Sequence, residues 1–120
     1  MPTSLVVDDQ RAIRNMFKSI LESGGYDVTL AEDGKDGWTK ASIKDFDVIV
    51  TDLNMPNVDG IQLTKRLRAS KRHKYTPILI ISTVSNGAKK QLGRDAGASG
   101  WIVKPVNGDE LLSALRKLCS

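Results

Sequence analysis

Four short apolar runs of this 120-residue chain end in acidic, hydroxyl or basic side chains. In chain order these residues are Asp8 and Asp9, Asp52, Ser82 with Thr83, and Lys104. If the runs are strands that end at one edge of a sheet, the three carboxylates repel each other unless a cation lies among them. A few carboxylate oxygens with room for water suit Mg²⁺. The sequence therefore predicts an acidic Mg²⁺ site with a hydroxyl and an ammonium group beside it.

Each of these residues, taken alone, has a simpler explanation as a helix N-cap or as a turn residue after a strand. Asp33 and Asp59 are predicted to have only such a structural role. Polar residues at four strand ends together are harder to explain in this way. The combination favours a functional site, provided that the fold brings the strand ends to one edge.

Apolar residues recur along the chain with alternating strand and helix periods. Between Ile13 and Leu21, for example, they recur at every third or fourth position, which predicts a helix that ends at Gly24. The predicted strands are 4–7, 27–31, 48–51, 77–82 and 100–103, and the later helices are 33–44, 61–70 and 86–96. A last helix is predicted with Asn107 as its N-cap, Glu110 at its N3 position and four leucines between 111 and 118 on one face. This order predicts one doubly wound α/β domain over residues 1–120, a (βα)5 fold with a five-stranded parallel sheet covered on both faces. The functional crevice of such a sheet lies beyond the carboxyl ends of its strands.

Composition excludes several other kinds of site. A single cysteine, Cys119, excludes an intramolecular disulfide, and a single histidine, His73, excludes multi-histidine metal sites. No apolar run approaches the roughly 18 residues of a spanning helix, so we expect a cytoplasmic protein without membrane contact. The net charge of +4 conceals nine basic residues and no acidic one between Gly60 and Arg94. Such a stretch attracts either nucleic acid or acidic protein partners.

Three segments of the sequence resemble the receiver domains of two-component response regulators. They are Val-Val-Asp-Asp at 6–9, Thr-Asp-Leu-Asn-Met-Pro-Asn-Val-Asp-Gly at 51–60, and Gly-Ala-Ser-Gly-Trp-Ile-Val-Lys-Pro at 97–105. The resemblance covers essentially the whole chain and implies a flavodoxin/CheY-like fold. The chain looks most like the stand-alone chemotaxis regulators of the CheY type, which lack an output domain. Lys104-Pro105 matches the position where the family has a cis peptide bond.

The resemblance implies a role for each residue of the predicted site. Asp52 would accept a phosphoryl group from the histidine of a partner kinase. The Mg²⁺ ligands would be Asp8, Asp9, Asp52 and the backbone carbonyl of Asn54. Lys104 would contact one phosphoryl oxygen, and the Ser82 hydroxyl would donate a hydrogen bond to another.

Four residues would control the switch and the access to the site. Ser82 and Trp101 match the family's two switch positions, although Tyr or Phe is more usual than Trp. Thr83 stands where Ala or Gly is usual, so it should narrow the approach to Asp52. Val84 offers no polar side chain to an attacking water.

The resemblance also implies the partners. The surface for a downstream protein would include Lys89, Lys90, Arg94 and Trp101, and a flagellar motor switch component is the expected target in chemotaxis. We therefore interpret the basic stretch as a docking surface for acidic proteins. Because no output domain is expected, we do not expect the protein to bind DNA. We expect it to be a monomer.

Three other functions stay open at this point. A phosphorelay intermediate would pass its phosphate to a histidine phosphotransfer domain, using the same residues. A Mg²⁺-dependent phosphatase would use Asp52 as a covalent nucleophile, but 120 residues leave no cap domain to enclose a substrate. A DNA-binding regulator would need an output domain. We therefore expect a protein that catalyses only its own phosphorylation and dephosphorylation.

Overall fold

Strands and helices alternate strictly in the computed structural model, which describes residues 1–119. The strands are β1 (Thr3–Val7), β2 (Asp27–Ala31), β3 (Val48–Asp52), β4 (Ile78–Ser82) and β5 (Gly100–Val103). The helices are α1 (Arg11–Ser23), α2 (Gly34–Ile43), α3 (Gly60–Ala69), α4 (Gly87–Ala96) and α5 (Gly108–Cys119). This order confirms the predicted (βα)5 alternation. The predicted bounds of the strands and of α2 to α4 differ from these by single residues at most.

The five strands form one parallel sheet in the order β2-β1-β3-β4-β5. The chain runs from β1 outward to β2 on one side and returns to β3 on the other. The crevice of a doubly wound sheet opens where the order reverses in this way, here between the carboxyl ends of β1 and β3. Val7 pairs with Thr51 across these two strands, so Asp8 and Asp52 follow side by side.

Helices cover both faces of the sheet, with α1 and α5 on one face and α2, α3 and α4 on the other. Because successive side chains of a strand point to opposite faces, Val6 belongs to the cluster with Phe17 and Leu111, and Leu5 to the cluster with Ala41 and Leu63. The strands β3 and β4 are buried along their whole length. Each strand begins with an apolar run, at 48–50 in β3 and 78–81 in β4, as is typical of central strands covered on both sides.

The first turns of the helices show which residues cap them, and the lengths of the helices show whether any could span a membrane. Asp33 accepts a hydrogen bond from the Asp36 N–H, and Asp59 forms a capping box with Gln62, so both aspartates are N-caps as predicted. Asn107 caps α5 in the same way, through the N–H of Glu110 at 2.9 Å. None of the helices within residues 1–119 has the length and hydrophobicity needed to cross a bilayer.

Candidate functional site

Three carboxylates meet at the carboxyl ends of β1 and β3. Asp8, Asp9 and Asp52 each offer an oxygen, and these oxygens all lie within 4.8 Å of one another. Asp8 and Asp52 are buried, whereas Asp9 is exposed to solvent. The structure therefore brings together the three residues that the sequence placed at strand ends.

The Asp8 carboxylate is buried with one oxygen unsatisfied. Its Oδ1 accepts the Gln10 N–H at 2.9 Å, but its buried Oδ2 accepts no hydrogen bond within residues 1–119. The nearest ammonium, Lys104 Nζ, is 3.9 Å from Oδ2, which is too far for a hydrogen bond. Burial raises the pKa of the Asp8 carboxyl, the Gln10 N–H opposes this shift, and the charge of Asp52 adds to it. An unpaired buried oxygen between two further carboxylates is a donor set that fits a hard divalent cation.

Lys104 lies against the Asp52 carboxylate. Its Nζ is 3.1 Å from Asp52 Oδ1, and the two side chains are 21% and 11% exposed. The Lys104 backbone N–H donates to the Ser82 carbonyl at 2.8 Å, which ties the end of β5 to the end of β4. The Lys104-Pro105 bond is cis, as the resemblance implied. The predicted neighbourhood of Asp52 and Lys104 is therefore present.

The loop between β3 and α3 carries Asn54, whose side chain is exposed. The Gly60 N–H closes this loop by donating to the Leu53 carbonyl at 2.8 Å. A side chain at Gly60 would collide with the Asp52 carbonyl, so only glycine allows this close approach. Within the loop, Asn57 has a φ of 68°, in the left-handed region that Asn tolerates better than most residues. The role of the Asn54 carbonyl as a metal ligand stays a prediction.

The end of β4 connects to Trp101 by two hydrogen bonds. The Ser82 Oγ, which is buried, accepts the Val84 N–H at 2.9 Å. The Val84 carbonyl in turn accepts the Trp101 indole N–H at 3.0 Å. Within residues 1–119, no hydrogen bond joins Ser82 directly to Asp52. The predicted switch residues are therefore linked through the backbone of Val84, a connection that the sequence did not reveal.

The α4 and β5 surface has a cavity of about 290 Å³ beside Trp101. Lys90 and Arg94 line it together with the Trp101 ring, whereas Lys89 is exposed outside it. The ring lies so close to α4 that a Cβ at Gly93 would be 2.8 Å from its Cζ3 atom. Three of the four predicted partner residues, Lys90, Arg94 and Trp101, thus line one cavity, and Gly93 makes room for the indole.

A second cavity, of about 470 Å³, begins beside the carboxylates. Thr83 and Lys104 line it at the site, and the other lining residues are Ile13, Met16, Phe17, Pro105 and Val106. Thr83 is exposed here, and its effect on access to Asp52 stays a prediction. Met16, one of the apolar residues that recur between Ile13 and Leu21, is 41% exposed and lines this cavity.

The basic stretch between Gly60 and Arg94 is less uniform than the sequence suggested. The Arg68 guanidinium donates to the backbone carbonyls of His73, Thr76 and Gly97, so it holds the fold together. Arg72 pairs with Asp45 at 2.9 Å on the surface. His73, within the same stretch, is fully buried. Therefore only some of the nine basic residues in this stretch have side chains available to bind a partner.

The doubly wound fold thus brings three carboxylates, a lysine and a hydroxyl to the switch point of the sheet. Residues 4–116 match the response regulator receiver domain. The chain belongs to this family of two-component signalling proteins. Receiver domains bind Mg²⁺ in their active site and interact with histidine kinases and downstream targets.

Several relatives are similar over nearly their whole length. The structure of the chemotaxis protein CheY4 of Vibrio cholerae has a TM-score of 0.95 at 42% identity, over 98% of both chains. The chemotaxis protein CheY1 of Helicobacter pylori is 41% identical over 113 residues, which cover 92% of this chain and 91% of that protein. The receiver domain of the sensor histidine kinase PA1611 of Pseudomonas aeruginosa has a magnesium ion coordinated in its active site cleft. It is 26% identical, with a TM-score of 0.91, over 98% of this chain and 97% of that one.

Other relatives are longer than this chain. It is 35–36% identical to three curated proteins of which it covers 52%, 49% and 48%. The chain therefore spans about half the length of these relatives, and they share with it only the receiver part. Its similarity to these relatives therefore supports the receiver fold of this chain and does not identify its binding partners.

Proposed function

We propose that the chain is a phosphorylatable signalling switch that accepts a phosphoryl group from a histidine kinase on Asp52. The observation that carries this proposal is the contact of 3.1 Å between Asp52 Oδ1 and Lys104 Nζ at the edge of the acidic cluster. An anionic nucleophile meets an anionic phosphoryl group only where positive charge offsets the repulsion. Lys104 supplies part of that charge. Mg²⁺ would supply the rest when bound by Asp8, Asp9, Asp52 and the Asn54 carbonyl.

Asp52 is the nucleophile in this proposal. One of its carboxylate oxygens forms a bond to phosphorus while the N–P bond of the donor phosphohistidine breaks, and the imidazole leaves with that electron pair. Lys104, already in contact with Asp52, is placed to bind a phosphoryl oxygen. The Ser82 hydroxyl accepts one hydrogen bond and donates none within residues 1–119, so its O–H remains for a second phosphoryl oxygen. The domain turns over no separate substrate and catalyses only its own phosphorylation and dephosphorylation.

The switch that we propose runs through Val84. A phosphoryl oxygen that attracts the Ser82 hydroxyl would disturb the hydrogen bond of 2.9 Å from the Val84 N–H. The same residue holds Trp101 through its carbonyl at 3.0 Å, so a shift of Val84 changes the position of the indole. Only the phosphorylated form offers this acceptor, so the interaction differs between the two states, as a switch requires.

The downstream partner would bind the surface formed by Lys89, Lys90, Arg94 and Trp101. Basic residues around a half-buried aromatic ring suit an acidic protein segment. The similarity to CheY4 and CheY1 supports chemotaxis, with a chemotaxis-type kinase as donor and a flagellar motor switch component as target. A cytoplasmic location and a monomeric state belong to the same proposal.

Transfer from a panel of the host's purified histidine kinases tests the proposal. We expect Mg²⁺-dependent transfer from one kinase to the wild type and none to Asp52→Asn. Asp33→Asn is the matched control, because Asn also serves as an N-cap at that position and should leave transfer intact.

Binding of the candidate motor component to the phosphorylated and unphosphorylated forms tests the output. Tighter binding after phosphorylation is expected for the switch. Equal binding of both forms would contradict it. Onward transfer to a histidine phosphotransfer domain would instead assign the chain to a phosphorelay, which uses the same site.

A further inference from the structure

Arg14, in the first turn of α1, contacts the backbone beside the acidic cluster. Its Nη1 donates a hydrogen bond of 2.7 Å to the carbonyl oxygen of Asp8. Although carboxylates lie nearby, no carboxylate oxygen within residues 1–119 is within 4.0 Å of this guanidinium. Arg14 therefore acts on the Asp8 main chain through a directional hydrogen bond and forms no ion pair.

The turn between β1 and α1 has few other constraints. The N-cap of α1, Gln10, makes no side-chain capping bond, and the first turn has no acidic residue. In this turn the Gln10 N–H donates a hydrogen bond to Asp8 Oδ1, and the Arg14 N–H donates to the Gln10 carbonyl at 2.9 Å. The Arg14 side chain donates to the Asp8 carbonyl. The Asp8 N–H also donates to the Ala31 carbonyl at 3.2 Å, so Arg14 supplies two of the four hydrogen bonds that shape this turn.

Asp9 depends on this backbone for its direction. Its side chain is exposed and accepts no hydrogen bond from any residue among 1–119, yet one of its oxygens lies within 4.8 Å of those of Asp8 and Asp52. The carbonyl that Arg14 holds belongs to the peptide group that joins Asp8 to Asp9. Fixing that peptide plane fixes the positions of the Asp9 N and Cα atoms, so that only the φ and side-chain torsion angles of Asp9 remain to set where its carboxylate lies.

We propose that Arg14 is a positioning residue for the metal site, which orients the Asp8–Asp9 peptide so that the Asp9 carboxylate faces the cation. This inference rests on the proposed Mg²⁺ site. A partner outside the ligand shell that orients a ligand typically contributes 10–100-fold, in rough terms, to metal affinity. Arg14 would do so through the main chain of two successive ligands.

Two possible roles of Arg14 predict opposite changes in Mg²⁺ affinity when its side chain is removed. If the guanidinium acted only by its charge, it would repel Mg²⁺, and its removal would tighten Mg²⁺ binding. If it positions Asp9, its removal weakens binding despite the lost repulsion. Arg11 provides the matched control, since it begins the same helix, is exposed, and makes no hydrogen bond or ion pair within residues 1–119.

The test is the Mg²⁺ dissociation constant of the full chain, measured by isothermal titration calorimetry. We expect Arg14→Gln to weaken binding about tenfold. Arg11→Gln should change it by less than about twofold, because its charge is exposed and screened. Binding by Arg14→Gln that equals or exceeds that of Arg11→Gln would overturn the proposal. A wild type that binds no Mg²⁺ would instead contradict the proposed function.

Arg14→Lys and the NMR amide spectrum of the metal-free protein separate positioning from a general loss of fold. Lysine keeps the charge and can still donate an N–H to the Asp8 carbonyl, so the Mg²⁺ affinity of Arg14→Lys should stay within about threefold of the wild type. The Asp9 amide should shift more in Arg14→Gln than in Arg11→Gln. A loss in Arg14→Lys as large as in Arg14→Gln, or shifts spread over the whole sheet, would overturn the assignment.

Discussion

Replacing Asp8 by Asn should stabilise the metal-free protein at neutral pH while weakening its Mg²⁺ binding. Asp8 is 0% exposed, and its Oδ2 accepts no hydrogen bond within residues 1–119. Its attraction to Lys104 Nζ at 3.9 Å is worth about 4 kcal/mol at an effective dielectric constant of about 20. Its repulsion from Asp52, with oxygens within 4.8 Å, is at least about 3.5 kcal/mol on the same scale.

Because these two charge interactions nearly cancel, the desolvation of the Asp8 carboxylate is left uncompensated. A buried polar group without a partner costs about 1–3 kcal/mol. Asn removes the charge and keeps the Oδ1 that accepts the Gln10 N–H. We therefore expect Asp8→Asn to be about 1–2 kcal/mol more stable than the wild type, or about 4–8 °C higher in Tm.

The pH dependence of this difference follows from the raised pKa of Asp8. A carboxyl whose pKa is raised in the folded state stabilises the fold while it is protonated. That contribution is lost as the pH rises through the folded-state pKa. The stability difference between Asp8→Asn and the wild type should therefore be largest near neutral pH and should close in acid.

Urea unfolding in EDTA, between about pH 4 and about pH 8, measures this difference. Asp9→Asn is the control, because the exposed Asp9 should alter stability by less than about 0.5 kcal/mol. Both variants should bind Mg²⁺ more weakly than the wild type. An Asp8→Asn protein no more stable than the wild type near neutral pH, or a difference that grows in acid, would refute the reasoning.

Three other substitutions test neighbouring parts of the site and its link to the surface. Thr83→Ala should speed both phosphorylation by small donors and self-dephosphorylation, because exposed Thr83 beside Lys104 narrows the approach to Asp52. Equal rates for the variant and the wild type in time courses of phosphoprotein formation and decay would contradict this. Trp101→Phe loses the N–H donor to Val84 and should cost about 1 kcal/mol in urea unfolding, and no change would mean that the bond adds no stability. Gly93→Ala should displace the indole and shift the Trp101 fluorescence spectrum, since its Cβ would lie 2.8 Å from the ring; an unchanged spectrum would contradict the close packing.

The fold and the acidic cluster were predictable from the sequence because both follow from strand ends. Parallel strands end at one edge, so the apolar runs before Asp8 and Asp52 were enough to place these two residues together. The N-caps Asp33 and Asp59 were predictable for a similar reason, since their partners lie three residues away.

Hydrogen bonds from a side chain to backbone outside its own element were not predictable in this way. The bonds from Arg14 to the Asp8 carbonyl and from Trp101 to the Val84 carbonyl join side chains to the backbone of other elements, and no periodicity marks them. The charge of Arg68 suggested that it belongs to a basic docking surface. Its guanidinium instead donates hydrogen bonds to backbone carbonyls from two separate turns of the chain.

His73 shows the same limit for a polar residue in a basic run. Its neighbours in sequence are charged, but its ring is buried, with Nε2 2.8 Å from the Ala41 carbonyl and Nδ1 3.1 Å from Thr76 Oγ1. It stacks on Phe46 with ring centroids 6.2 Å apart. Such a burial depends on how the end of α2 meets the segment after α3, which is a property of the tertiary structure.

The most direct test of the proposed function is to locate the phosphoryl group by mass spectrometry. The protein is treated with phosphoramidate and Mg²⁺, and its intact mass and peptides are then measured. One phosphoryl group on Asp52 is predicted for the wild type, with none in EDTA and none on Asp52→Asn. A phosphoryl group on another residue of the wild type, or one retained by Asp52→Asn at the wild-type level, would contradict the account.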